Sequence, residues 1–207
     1  MNSSAKPRLA VLGSGKGSNF AAIADAIAAG ALLAEIAVVV SDVEGAGILQ
    51  HAQDRGMRAE HLPPGRYRSK LDEESERKLI DLLRDVRVDW VVLAGFMRIL
   101  KGEFLRHFSQ RVVNIHPSLL PAFPGLEAWQ QALEYGVKVT GCTVHLVDQG
   151  IDTGPIVAQE PVPILAGDTA ASLHERIQQA ERRLYPVAIQ RLLHGQVRVE
   201  GRRTFAV

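Results

Sequence analysis

Val112-Val113-Asn114-Ile115-His116-Pro117-Ser118-Leu119-Leu120-Pro121 passes from an apolar run into a loop broken by prolines. The run Val112 to Ile115 reads as a buried strand. The loop from Pro117 to Gly125 ends it before a helix begins at about Leu126. Asn114 and His116 are two positions apart, so on a strand they project from the same face. An amide and an imidazole side by side at a strand's C-terminal end make a candidate catalytic pair.

Upstream, strands alternate with helices. Arg8 to Leu12 is a short apolar strand, and the Gly/Ser loop Gly13 to Ser18 follows it directly. Phe20, Ile23 and Ile27 then fall on one helical face, with Gly30 as the stop. Ala34 to Val40 is a second strand, Gly45 to Arg55 a helix, and Met57 to Leu62 a third strand. Ser69 to Arg84 is a charged amphipathic helix with Ser69 and Asp72 as a capping box. Asp89 to Gly95 is apolar after its first residue, as in a strand covered on both faces. Lys101 to His107 is a short helix.

Downstream of the loop, Val139 to Asp148 and Pro155 to Val162 are two strands in close succession, which suggests an antiparallel addition. Asp168 is placed to cap a long helix with Leu173, Ile177, Ala180 and Leu184 in register. Pro186 removes a hydrogen bond inside that helix, and Gln196 to Val207 reads as a terminal hairpin. The pattern predicts a doubly wound, mostly parallel α/β sheet. No linker divides residues 1–207, so one domain is expected, with a nucleotide-phosphate half over 8–110 and a catalytic half over 111–207.

Composition narrows the function classes. The chain has 207 residues, 46% hydrophobic and 23% charged, which suits one sizeable soluble domain. A formal net charge of +1 gives no bulk attraction to nucleic acid or anionic membrane. Cys142 is the single cysteine, which excludes an intrachain disulfide and a cysteine-built metal site and suits a reducing cytoplasm. Met1 to Pro7 is short and polar, unlike a signal peptide. No apolar run approaches a bilayer span.

Gly13-Ser14-Gly15-Lys16-Gly17-Ser18-Asn19 joins the first strand to the first helix. Glycines let backbone amides approach an anion, and the helix N-terminus adds favourable partial charge. Lys16 is followed by Gly17, so the loop is not a Walker A motif, and its third glycine comes one residue early for GxGxxG. Dinucleotides and ATP are thereby disfavoured, while a single phosphate is well served. The plain alternative is a structural turn. Asp148 and Asp152 flank Gln149-Gly150-Ile151. Either could shape a turn, and one of them facing His116 would raise its pKa and fix its ring. His145 reads as structural, because no partner at metal-ligand spacing accompanies it. Met97 to Leu100 could wall a flat heterocycle or simply pack in the core.

Five stretches in order complete the reading: Ser14 to Asn19, Leu93 to Leu100, Asn114 to Pro121, Thr140-Gly-Cys-Thr-Val-His145, and Asp152-Thr-Gly-Pro155. Together they resemble the phosphoribosylglycinamide formyltransferase family, from about Arg8 to Val199. The resemblance implies a Rossmann-like formyltransferase fold, 10-formyltetrahydrofolate as co-substrate, glycinamide ribonucleotide as acceptor, and no metal. It implies catalytic roles for Asn114, His116 and Asp152, and so selects Asp152 over Asp148. It implies ribonucleotide binding at Gly17, Ser18, Asn19, Gln178 and Glu181. Folate binding is implied at Lys70, Met97, Arg98, Ile99, Leu100 and Asn114, and at Asp148, Gln149, Gly150, Ile151 and Asp152. It also suggests a cis peptide at Leu120-Pro121 and a monomer or homodimer. Lys70 stands where the family has arginine, and lysine lacks the bidentate fork. The rivals are a formyltetrahydrofolate deformylase, which usually carries an extra N-terminal domain, and a methionyl-tRNA formyltransferase, which needs a basic surface. A non-enzymatic nucleotide-binding module is the last.

Overall fold

A computed structural model describes residues 6–207. Residues 1–5, the start of the polar stretch read above, lie outside the described residues. The chain divides into two compact units, one ending at Val112 and one beginning at Val113.

The first unit carries β1 (Arg8–Leu12), α1 (Ser18–Ala28), β2 (Glu35–Ser41), α2 (Gly47–Asp54), β3 (Ala59–His61), α3 (Glu73–Asp85), β4 (Trp90–Leu93) and α4 (Gly102–His107). β1 pairs in parallel with β2 on one side and β4 on the other, and β2 pairs in parallel with β3. Leu9, Val11, Val39, Val91 and Val92 are fully buried, as apolar strands covered on both faces require. Phe20 and Ile23 of α1 are likewise at 0% exposure, each such burial contributing about 1.5–3 kcal/mol.

The second unit carries β5 (Val112–His116), α5 (Ala128–Tyr135), β6 (Val139–Leu146), β7 (Ile156–Pro163), α6 (Ala170–Leu193), β8 (Val197–Glu200) and β9 (Arg203–Ala206). β6 pairs antiparallel with β5 and β7, and β8 with β9 forms a separate hairpin. The strand order is β3-β2-β1-β4, all parallel, in the first unit and β5-β6-β7, antiparallel, in the second, so parallel pairing dominates and the antiparallel strands come from the C-terminal half. α6 buries Leu173, Ile177, Ala180 and Tyr185, and the Tyr185 hydroxyl donates to the Val113 carbonyl at 3.0 Å. The helix continues through Pro186 to Leu193.

Several boundaries differ from the sequence reading. α3 starts at Glu73, with Asp72 as N-cap accepting the Ser75 N–H at 2.9 Å. Ser69 is outside the helix, because its carbonyl accepts the Ile99 N–H at 2.8 Å and Lys70 bridges to Ile99. α6 is capped by Thr169 in a capping box with Ser172, not by Asp168. Asp168 instead accepts the Leu165 N–H at 2.7 Å and pairs with Arg176. α5 begins at Ala128 because Gly125 and Glu127 have φ of 85° and 52°, outside the helical range.

Candidate active site

The functional side chains of the second unit converge at the end of β5. Antiparallel register sets Asn114 opposite His145 and His116 opposite Thr143. The loop after β5 folds back over the strand end, with a cis peptide at Leu120-Pro121. Thr143 holds this loop: its hydroxyl donates to the Ser118 carbonyl at 2.7 Å and accepts the Leu120 N–H at 3.0 Å. Gln159 adds a 2.9 Å bond to the Leu120 carbonyl. The loop thereby presents the Phe123 carbonyl 2.9 Å from His116 Nε2. A carbonyl only accepts, so Nε2 carries a proton and Nδ1 is the position that can gain or lose one.

Asp152 stands at that second nitrogen. His116 Nδ1 lies 3.3 Å from Asp152 Oδ2, and His145 Nε2 lies 3.6 Å from Oδ1. Asp152 is held in the left-handed region at φ 53° and accepts the Gly125 N–H at 2.8 Å. His145 Nδ1 is 2.9 Å from the Leu146 carbonyl, so that nitrogen is the donor in the neutral ring. Its Nε2 is then free to accept from the Asn114 amide at 3.1 Å. The contacts run His116–Asp152–His145–Asn114.

Burial pushes the His116 imidazole below its ordinary value, and the Asp152 charge and Phe123 carbonyl only partly offset it. The facing aspartate does raise the ring, as expected, but with only 4% of His116 exposed desolvation outweighs it and the net shift is downward. Burial alone would raise the Asp152 carboxyl, but at the acid pH where it titrates the protonated His145 and His116 rings, with the Gly125 N–H, hold it below the usual carboxylate range. A correction concerns His145. It touches both Asn114 and Asp152, so its position is more than structural filling. Sequence spacing missed it because only the cross-strand register brings it there.

Asp148 is not at the cluster. Its Oδ1 accepts the Gly150 N–H at 3.0 Å and the Thr153 hydroxyl at 2.6 Å, shaping the loop that carries Gln149, Gly150 and Ile151. Ile151 is half exposed. On α6, Glu181 is buried, and the Gln178 amide lies 3.2 Å from His174 Nε2.

The first unit holds the other predicted positions. Gly17 is the N-cap of α1 at φ 83°, followed by Ser18 and Asn19. Met97 is 56% exposed and Leu100 buried, with Ile99 between them pairing to Lys70. The Lys70 ammonium sits 4.4 Å from the centre of the Tyr67 ring. Arg98 turns its side chain inward. Its guanidinium is committed to buried Asp42 at 2.6 Å, so its side chain is not free for a ligand. Among the described residues, no group of three or more His, Cys, Asp or Glu is arranged to hold a metal ion. No described helix is long and apolar enough to cross a membrane.

Sheet and cluster together define a doubly wound α/β enzyme of the Rossmann-like formyltransferase type. The formyl transferase family model matches residues 7–189. The chain is 45% identical over 204 residues to the phosphoribosylglycinamide formyltransferase of Mycobacterium tuberculosis, covering 96% of this chain and 91% of that one. The structure of glycinamide ribonucleotide transformylase 1 from Symbiobacterium toebii superposes with a TM-score of 0.93 at 46% identity, covering 98% and 94% of the two chains. The chain belongs to the formyl transferase family, and within it to the phosphoribosylglycinamide formyltransferases. It is also 42% identical to the human trifunctional purine biosynthetic protein adenosine-3, of whose length it spans 19%.

Proposed function

We propose that this protein transfers the formyl group of 10-formyltetrahydrofolate to the primary amine of glycinamide ribonucleotide, a step of purine biosynthesis. The observation that carries the reading is the His116–Asp152–His145–Asn114 contact chain in a member of this family.

The amine attacks the formyl carbon, a new C–N bond forms, and the carbonyl electron pair moves onto oxygen. Asn114, oriented by His145, supplies an N–H donor to that oxyanion; losing such a donor costs about 10²–10³ in rate. The attacking nitrogen must then lose a proton and N10 of the folate must gain one. His116 Nδ1 and Asp152 form the place to hold it. The depressed imidazole is neutral at rest and accepts the proton through Asp152, the more exposed of the two at 13% against 6% for the side chains. The resulting imidazolium is clamped between the Phe123 carbonyl and the Asp152 carboxylate. Returned to N10, the proton lets the C–N10 bond break and the carbonyl reform. General acid–base assistance of this kind contributes roughly 10²–10⁴.

Gly17, Ser18 and Asn19 are assigned to the ribonucleotide phosphate, with Gln178 and Glu181 for the rest of that substrate. Lys70, Met97, Ile99, Leu100 and the 148–152 loop are assigned to the folate, with Arg98 contributing backbone. Steady-state kinetics test the reading. His116→Ala and Asp152→Asn should each lower kcat by at least about 10²-fold with little change in substrate affinity. Near-normal kcat in either would remove the assignment.

A further inference from the structure

The ion pair between Asp42 and Arg98 lies outside the chemistry described above, yet three segments of the first unit meet on it. The Asp42 side chain is 1% exposed and that of Arg98 17%, with Nε and Oδ2 2.6 Å apart. From the Gly/Ser loop, Ser14 donates its hydroxyl to Asp42 and accepts the Met97 N–H at 2.8 Å. The Ser14 N–H donates to the Gly95 carbonyl at 3.0 Å. From the segment after β4, Arg98 Nη1 donates to the Tyr67 carbonyl at 3.1 Å and also to that of Arg68. The next residues of that loop, Ser69 and Lys70, pair with Ile99.

A buried ion pair returns little net stability over apolar groups of the same size. What it supplies is direction. Arg98 donates from fixed fork positions, and Asp42 accepts from two segments at once. Ser14 is three residues before Gly17, and both side-chain partners of Ser14 lead to the Met97–Leu100 segment. A chain of hydrogen bonds in a low-dielectric interior polarises cooperatively, so a shift at one end changes the strength of the others.

We infer that Ser14, Asp42 and Arg98 form a positioning relay that couples the phosphate-binding loop to the folate-lining segment, so that a ligand on either tightens the other. The inference rests on the functional reading above. It is tested by calorimetric titration of the protein with glycinamide ribonucleotide, with and without saturating tetrahydrofolate. Tetrahydrofolate carries no formyl group, so the ternary complex does not react.

The relay predicts that each ligand tightens the other by at least about fivefold, equally in both directions. Asp42→Asn and Ser14→Ala should each bring the factor to within about twofold of unity. Ser14→Ala leaves the ion pair in place, so it decides the matter if Asp42→Asn does not fold. A merely structural pair would change the melting temperature and leave the coupling factor as it was. Wild-type protein that binds both ligands without coupling, or coupling that survives in Ser14→Ala, overturns the relay and leaves the functional reading standing. Wild-type protein that binds neither ligand overturns the functional reading, and the relay falls with it.

Discussion

At the scale of single residues, the proton on His116 is the quantity to follow. Its Nε2 proton is fixed by the Phe123 carbonyl, and burial keeps Nδ1 unprotonated to a lower pH than in a free histidine. A ring that must accept a proton from the amine works only above its own pKa. The acid limb of kcat should therefore lie below the ordinary value of 6.5. In Asp152→Asn the attraction that raises the ring is gone, so the limb of the residual activity should move to still lower pH. A wild-type limb at or above the ordinary value would contradict this account of the site, as would an upward move in the variant.

The pairing of Asn114 with His116 on one strand face was legible from spacing alone. The depth of burial that reverses the pKa shift was not, because it depends on the loop folding back over the strand. His145 was illegible for a related reason. Its partner lies across the sheet, 31 residues away in sequence.

At the scale of elements, strand and helix order followed from apolar periodicity, and the errors fell at the ends. Capping depends on one hydrogen bond, which neighbouring Ser, Thr and Asp residues can each supply. In α6, Thr169 accepts the Ser172 N–H at 3.2 Å and Ser172 returns a bond to the Thr169 N–H at 3.0 Å. Thr169→Ala should cost about 1 kcal/mol in urea unfolding. An unchanged midpoint would place the cap elsewhere.

The Gly/Ser loop makes a sharper demand. A Cβ on Gly17 would lie 2.8 Å from the Cα of Ile48, and its φ of 83° disfavours any side chain. The loop is tied to α2 by the Ile48 N–H, which donates to the Gly15 carbonyl at 3.1 Å. Gly17→Ala should therefore lower the melting temperature, with a strain of about 1–3 kcal/mol. It should also weaken ribonucleotide binding while binary folate binding is kept. Calorimetry showing both affinities unchanged would refute the phosphate assignment.

For the whole molecule, the question is which reaction the site performs. The parallel strands and the Gly/Ser loop of the first unit, and the antiparallel strands with the Asn114–His116 pair in the second, could be read from the chain, whereas the choice of Asp152 over Asp148 came only with family likeness. No physical reading of the residues names a formyl group, because an amide, an imidazole and a carboxylate serve many acyl transfers. That step comes from family likeness. Hydrolysis of the same donor uses the same oxyanion chemistry, with water in place of the amine. The most direct measurement is folate release from 10-formyltetrahydrofolate, with and without glycinamide ribonucleotide. Release that requires the ribonucleotide, with formylated ribonucleotide formed in equal amount, is the predicted result. Release at the same rate without the ribonucleotide would contradict the account and mark a deformylase, and no release in either case would mark a binding protein.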